Sequence, residues 1–158
     1  MNADEFLMYR CIELAQESLR IGDLPFGALL TRGGDVVAEA VNTGLKDITG
    51  HAEINVIKKA LENDPEIDFS QCSLYTNFEP CAMCSFVIRD YGIGRVVFGV
   101  PSPHLGGFSK WDILKNSPLP AEFTSRTYAS PPEIIPGVLR DEAQAIFDRL
   151  DWRMHKWS

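Results

Sequence analysis

Two short stretches, His51-Ala52-Glu53 and Pro80-Cys81-Ala82-Met83-Cys84, constrain this chain more than any other feature. Each opens a run of apolar residues at helical spacing. After the first come Ile54, Val56, Ile57, Ala60 and Leu61, and within and after the second come Ala82, Met83, Phe86, Val87 and Ile88. A metal bound by both stretches would require the two helix starts to meet, gathering one imidazole, two thiols and one carboxylate. His51, Cys81 and Cys84 form a ligand set suited to zinc. Three ligands rather than four leave a position open, as in a catalytic site. Glu53, two residues from His51, is then the group that handles protons beside the metal.

The Cys-x-x-Cys spacing puts both sulfurs in one helical turn, where the positive helix end and a metal would favour thiolate over thiol. Taken singly, the motifs carry little weight. His-x-Glu occurs constantly by chance, and Cys-x-x-Cys also serves redox pairs and halves of structural zinc sites. A redox pair usually sits in a thioredoxin-like setting. A structural site needs a fourth ligand, and the remaining soft candidates, His104, His155, Cys11 and Cys72, are none of them adjacent. Cys11 falls in a helical apolar pattern and Cys72 precedes a strand, so both are read as packing residues. His-x-Glu followed by Pro-Cys-x-x-Cys, each opening a helix, favours a catalytic zinc site.

The rest of the chain reads as scaffold. Phe6, Leu7, Cys11, Leu14, Ala15 and Leu19 predict a helix over residues 4–20, stopped at Ile21-Gly22-Asp23. Strands are predicted at 25–30 and 36–41 around an Arg32-Gly33-Gly34-Asp35 turn, at 73–76 and at 95–100. The spacing further predicts a short helix near 110–115, an edge strand at 124–128 ended by Pro131-Pro132, and a last helix over 138–152. Two strand-then-helix units in succession imply a largely parallel sheet with helices on its faces, opened by an antiparallel pair.

With 158 residues, a single domain spanning 1–158 is expected, able to hide roughly two-thirds of its unfolded surface without disulfide staples. No apolar run reaches the ~20 residues of a membrane span, and the acidic start Met1-Asn2-Ala3-Asp4-Glu5 lacks the order of a signal peptide. A cytoplasmic location without membrane association follows as the expectation. A formal charge of −7 argues against nucleic acid as the principal partner, because a phosphate-binding face needs lysine and arginine.

The sequence resembles the cytidine deaminase superfamily, in particular the branch of tRNA adenosine deaminases, guanine deaminases and fungal-type cytosine deaminases, whose His-x-Glu and Pro-Cys-x-x-Cys signature is well known. The likeness runs from about Phe6 to Met154. It rests on Leu24-Pro25-Phe26-Gly27-Ala28, His51-Ala52-Glu53-Ile54, Glu79-Pro80-Cys81-Ala82-Met83-Cys84 and Ile93-Gly94-Arg95-Val96-Val97-Phe98-Gly99. The resemblance implies an α/β fold, a three-layer α/β/α sandwich around a five-stranded mixed sheet, often assembled as a homodimer. It implies zinc held by His51, Cys81 and Cys84, with Glu53 as proton shuttle. It also implies substrate contacts from Asn42, from Phe26 on the pocket wall, and from the backbone around Ala52 and around Glu79 and Pro80.

After residue 100 the likeness changes. The Asp-x-Lys-x-Gly-Ala stretch typical of tRNA adenosine deaminases is replaced by Ser102-Pro103-His104-Leu105-Gly106-Gly107-Phe108-Ser109-Lys110-Trp111, and the carboxy-terminal pattern of guanine deaminases is absent. His104, Phe108, Trp111 and Trp157, with Phe26, are candidate walls of an aromatic pocket around a flat heterocycle, the alternative being core or dimer-interface packing for Trp111 and Trp157 and a solvated loop position for His104. Asn77 and Phe78 are further candidates to face the pocket, Asn77 alternatively serving the strand-end turn. The favoured reading is a zinc-dependent hydrolytic deaminase of a free nucleobase or related amino-heterocycle (guanine, cytosine, triazine or pterin type). The alternatives are a tRNA adenosine deaminase and a catalytically silent zinc-binding member of the family.

Overall fold

A computed structural model describes residues 1–115 and 130–150. Its first helix, α1 (Ala3–Arg20), begins at a capping box. The Asn2 side chain accepts from the Glu5 amide at 2.9 Å, and the Glu5 carboxylate accepts from the Asn2 amide at 3.0 Å. Strands β1 (Gly27–Arg32) and β2 (Asp35–Val41) follow as an antiparallel pair about a Gly33-Gly34 turn. Then come α2 (Ala52–Asn63), β3 (Cys72–Phe78), α3 (Ala82–Tyr91), β4 (Arg95–Val100), β5 (Glu133–Ile135) and α4 (Arg140–Asp148).

The strands form one five-stranded mixed sheet in the order β2-β1-β3-β4-β5. β1 runs antiparallel to both neighbours, whereas β3, β4 and β5 are mutually parallel. Alternation of side chains splits the buried residues into two clusters. Ala28, Leu30, Leu74, Val96 and Phe98 face Val56, Ile57 and Ala60 of α2 and Ile88 of α3. Leu29, Tyr75 and Val97 face Met8, Cys11, Ile12 and Ala15 of α1 and Ala143, Ile146 and Phe147 of α4. The result is the expected α/β/α sandwich. Cys11 and Cys72 both lie inside these clusters. Helix α1 packs so closely on β1 that a Cβ at Gly27 would stand 2.5 Å from the Cys11 carbonyl oxygen and 2.6 Å from the Leu14 Cβ.

One expectation after residue 100 is corrected. Residues 110–115 form turns rather than a helix, because Asp112 takes a left-handed φ of 57° that stops helical continuation. A further strand, Glu133–Ile135, which the sequence reading does not predict, directly follows Pro131-Pro132. It is short and lies at the sheet edge, where neighbouring prolines are tolerated. The predicted strand at 124–128 and the end of the last helix at 151–152 lie outside the described residues. Among the described residues no helix is long and apolar enough to cross a membrane.

The topology places the site. Because β1 is antiparallel to β2 and β3, its start lies beside their ends: Gly27 pairs with Val41, Ala28 with Thr76, and Phe78 with Val100 of β4. Phe26, Asn42, Phe78, Glu79 and Ser102 therefore meet at one end of the sheet, at the carboxyl ends of β3 and β4, where open α/β sheets bind ligands.

Candidate metal centre and its pocket

His51 and Cys81 are the N-cap residues of α2 and α3, both extended, at φ −70° and −68°. The loop before His51 is tied down by Asn55, whose amide donates to the Val41 carbonyl at 3.0 Å and the Thr43 hydroxyl at 3.0 Å and approaches the Gly50 carbonyl at 3.3 Å. The Cys81 backbone pairs with Gly106 in an antiparallel bridge, and the Gly107 amide donates to the Pro80 carbonyl at 2.9 Å. Two helix starts are thus aimed at one point by their preceding loops.

At that point the His51 Nδ1 lies 3.5 Å from the Cys81 sulfur and 3.4 Å from the Cys84 sulfur. One nitrogen within reach of two sulfurs is a poor hydrogen-bonding arrangement, since it carries at most one proton. It is the edge length, about 3.6 Å, that tetrahedral zinc bonds of about 2.3 Å to sulfur and about 2.0–2.1 Å to nitrogen require. His51, Cys81 and Cys84 are therefore positioned to bind a metal ion, and the donor set fits zinc. Without metal, Cys81 is pulled down to about 4, chiefly by the bond it accepts from the Cys84 thiol and next by His51, with burial opposing. Cys84 is held well above its usual range by the same contact and by burial. The pair retains one proton between two sulfurs.

Glu53 is 5% exposed and sits in the first turn of α2. Its Oε1 is 3.2 Å from the Thr76 hydroxyl and its Oε2 is 3.6 Å from the Cys84 sulfur. Burial, then the neighbouring Cys81 charge, pushes its carboxyl above the usual carboxylate range.

These groups open onto a cavity of about 400 Å³ lined by Leu24, Phe26, Asn42, His51, Glu53, Phe78, Glu79, Cys81, Ser102 and Leu105. Phe26 and Phe78 meet edge to face, ring centroids 5.7 Å apart, and form its aromatic wall. Glu79, 2% exposed, has a second task. Its carboxylate accepts from the Ser102, Phe108 and Ser109 amides at 2.7, 3.0 and 2.7 Å and from the Ser109 hydroxyl at 2.7 Å. That grip fixes the 102–109 loop so tightly that a Cβ at Gly106 would overlap the carboxylate.

The aromatic candidates from this loop are elsewhere. Phe108 packs into the core on the α2/α3 side, 6.2 Å from the Phe98 ring, with the Lys115 ammonium 4.8 Å from its centroid. Trp111 is 53% exposed beside Lys110, and His104 is exposed. None of the three lines the cavity, because the Glu79 clamp turns Leu105 toward it instead. Ala52 and Pro80 are buried, and neither is among the residues that line the cavity. Asn77 proves structural, its amide joining the Pro25 carbonyl and the Gly27 amide at 3.0 and 2.9 Å. Trp157 lies outside the described residues. Sequence reasoning missed Leu24, Ser102 and Leu105. Leu24 adjoins the Pro25-Phe26 stretch, the one signal that pointed to it.

The family model of the cytidine and deoxycytidylate deaminase zinc-binding region matches residues 1–100. A tRNA-specific adenosine deaminase of Aquifex aeolicus is 32% identical over 113 residues, 70% of this chain and 75% of that protein. A guanine deaminase of Bacillus subtilis is 40% identical over 87 residues, 53% of this chain and 55% of that protein, so the match spans about half its length. A structure from a study of A-to-I editing by tRNA:A34 deaminases superposes with a TM-score of 0.74 at 29% identity, covering 88% of this chain and 96% of that one. With the ligand cluster, the sheet order and the matched stretch in agreement, this chain belongs to the cytidine and deoxycytidylate deaminase zinc-binding family.

Proposed function

We propose that the chain is a zinc-dependent hydrolytic deaminase of a free nucleobase or related amino-heterocycle. The observation that carries this reading is the buried Glu53 carboxylate between the ligand cluster and a largely apolar cavity of about 400 Å³, a volume within the range of small-ligand sites. Zinc in this family's site supplies a Lewis acid that makes water nucleophilic near neutral pH.

The residues divide the remaining work. Phe26, Phe78, Leu24 and Leu105 hold the heterocycle and exclude bulk water. The first-turn amides of Ala52 and Ile54 in α2 lack intrahelical partners and are offered to a ring or carbonyl acceptor. Asn42 anchors another edge of the ring. Glu53, its affinity for a proton raised by burial, accepts a proton from the attacking water and passes it to the departing amine. A carbon–oxygen bond forms at the amino-bearing carbon, the carbon–nitrogen bond breaks, and ammonia leaves. The water supplies the oxygen and the protons. Thr76 holds one carboxylate oxygen so that the other carries out the transfer.

A second reading, deamination of adenosine in tRNA, is favoured by the Aquifex relative. The net charge of −7 and the 102–109 loop, which carries no lysine or arginine, weigh against it. The discriminating experiment is an ammonia-release screen of zinc-loaded protein over guanine, cytosine, triazines, pterins, nucleosides and a tRNA anticodon stem-loop. Release from a free heterocycle supports the first reading. Release from the stem-loop alone, with tight salt-sensitive tRNA binding, overturns it in favour of the second. Silence across every substrate assigns the chain to the catalytically silent alternative.

A further inference from the structure

Behind Asn42 stands a buried carboxylate. Asp23, 6% exposed, follows the end of α1, and Asn42, 2% exposed, follows β2. The Asp23 Oδ1 accepts from the Leu24 amide at 2.8 Å and from the Asn42 side-chain amide at 2.7 Å, while its Oδ2 accepts from the Leu45 amide at 3.2 Å. The Ser18 hydroxyl, also buried, donates to the Leu24 carbonyl at 2.5 Å and ties the same corner to α1.

A carboxylate only accepts hydrogen bonds, so the end of the Asn42 amide turned toward Asp23 must be the NH2 group. The opposite end, Oδ1, is thereby directed away from Asp23. Among the described residues no donor meets that oxygen, and no buried side-chain oxygen or nitrogen lacks a partner, so Oδ1 is an open acceptor. Asn42 lines two cavities. One is the cavity of about 400 Å³ that holds His51, Glu53 and Cys81; the other, of about 280 Å³, is bounded by residues 44–48. Both share Leu24, Phe26, Asn42 and His51, which makes Asn42 part of the wall where they adjoin.

We propose that Asp23 is a positioning residue that locks Asn42 as a hydrogen-bond acceptor at the seam of the two cavities, so that the site selects ligands presenting an N–H or O–H donor there. This rests on the reading of the larger cavity as a heterocycle site. The donor has two sources: a ring N–H of a free base, or a sugar hydroxyl of a nucleoside extending into the smaller cavity. Asp23 touches neither ligand nor metal and acts only through Asn42. A buried acceptor left without its donor penalises the methylated or deoxy ligand, an effect of about tenfold for one hydrogen bond.

The test measures binding by calorimetry on full-length, zinc-loaded protein carrying Glu53→Gln, so that turnover does not intrude. The ligand pairs are guanine against 7-methylguanine and 9-methylguanine, cytosine against 1-methylcytosine, and adenosine against 2′-deoxyadenosine. With Asp23 present, at least one donor-bearing member binds about tenfold tighter than its blocked partner. A base pair doing so identifies the ring source, the nucleoside pair the sugar source. Asp23→Asn preserves shape and lets the Asn42 amide face either way, so the ratio falls to about threefold or less while zinc content is retained. Asn42→Ala produces the same collapse, and adding Asp23→Asn to it changes the ratio no further. A merely structural Asp23 would weaken both members of each pair equally and leave the ratio intact, which overturns the proposal. So does binding of no ligand, or equal binding within every pair before Asp23 is changed. Failure of the deaminase reading shows separately, as absence of ammonia with Glu53 restored, and leaves the binding ratios readable.

Discussion

The Glu53 Oε2 oxygen lies 3.6 Å from the Cys84 sulfur, with the glutamate 5% and the cysteine 1% exposed. A carboxylate this close to a ligand sulfur, yet tied on its other side to Thr76, borders the metal position while staying outside the ligand triad. Glu53→Gln keeps its volume and removes its proton affinity. Ammonia release is expected to fall about 10²–10⁴-fold, with one zinc per chain retained. Metal analysis and a coupled ammonia assay on the same preparation check this, and near-normal turnover would remove Glu53 from the mechanism.

Thr76 has no exposure, and its hydroxyl reaches Glu53 Oε1 at 3.2 Å and the Phe78 carbonyl at 3.1 Å. Thr76→Val preserves shape and deletes that contact. It is expected to cost about 1 kcal/mol of stability and to lower kcat about tenfold with KM within about threefold. An equal loss in kcat and gain in KM would point to a collapsed pocket instead.

Metal uptake must expel the proton that the metal-free cysteine pair retains on Cys84, whose pKa stands above its ordinary 9.0. His51, raised above 6.5 by the Cys81 thiolate, must also be neutral to bind. Zinc affinity is therefore expected to rise with pH, about tenfold or more per unit between pH 6 and 8. Competition against a chromophoric chelator measures the slope, and a flat profile would show that the ligands are already deprotonated.

Asp4 and Arg95 join α1 to β4 through paired bonds of 2.7 and 3.0 Å, with the Tyr75 hydroxyl donating to the same carboxylate at 2.8 Å. The Arg95 bond holds the Asp4 carboxyl below its ordinary 3.8 despite opposing burial. A depressed carboxylate contributes stability that is complete above its unfolded value and is lost as the pH falls through the folded one. Asp4→Asn should thus lower the Tm at pH 7 and shrink the loss of Tm between pH 5 and 3. An unchanged acid limb would assign the ion pair no role in stability.

At Gly27 the obstruction is backbone, with the Ala15 amide nitrogen 2.7 Å from the position of an added Cβ. Gly27→Ala is expected to cost about 1–3 kcal/mol, since α1 must shift to make room. Chemical denaturation reads it directly, and an unaffected midpoint would show that the helix yields freely.

Local periodicity made the elements through β4 legible in the sequence, because Ala28-Leu29-Leu30 and Val96-Val97-Phe98 are buried on both faces of the sheet and α2 and α3 carry strong apolar stripes. The ligand set was legible too, since Cys-x-x-Cys at a helix start leaves its sulfurs little choice of direction. The pocket beyond it was not. Phe108 and Leu105 are three residues apart in one polar loop, and only the carboxylate of Glu79, more than twenty residues earlier, decides which of them faces the cavity. Asp23 read as a helix stop, and its partnership with Asn42 depends on a sheet register that brings residues nineteen apart into contact. β5 was hidden because Glu133-Ile134-Ile135 has its place only through pairing with β4.

The imidazole of His51 and the thiolates of Cys81 and Cys84 are placed to grip a single zinc with one vertex to spare. X-ray absorption at the zinc edge on stoichiometrically loaded protein reads this ligand set. Two sulfur scatterers at about 2.3 Å and two nitrogen or oxygen scatterers at about 2.0 Å are expected. A shell of four sulfurs, or a chain that retains no zinc, would contradict this ligand set.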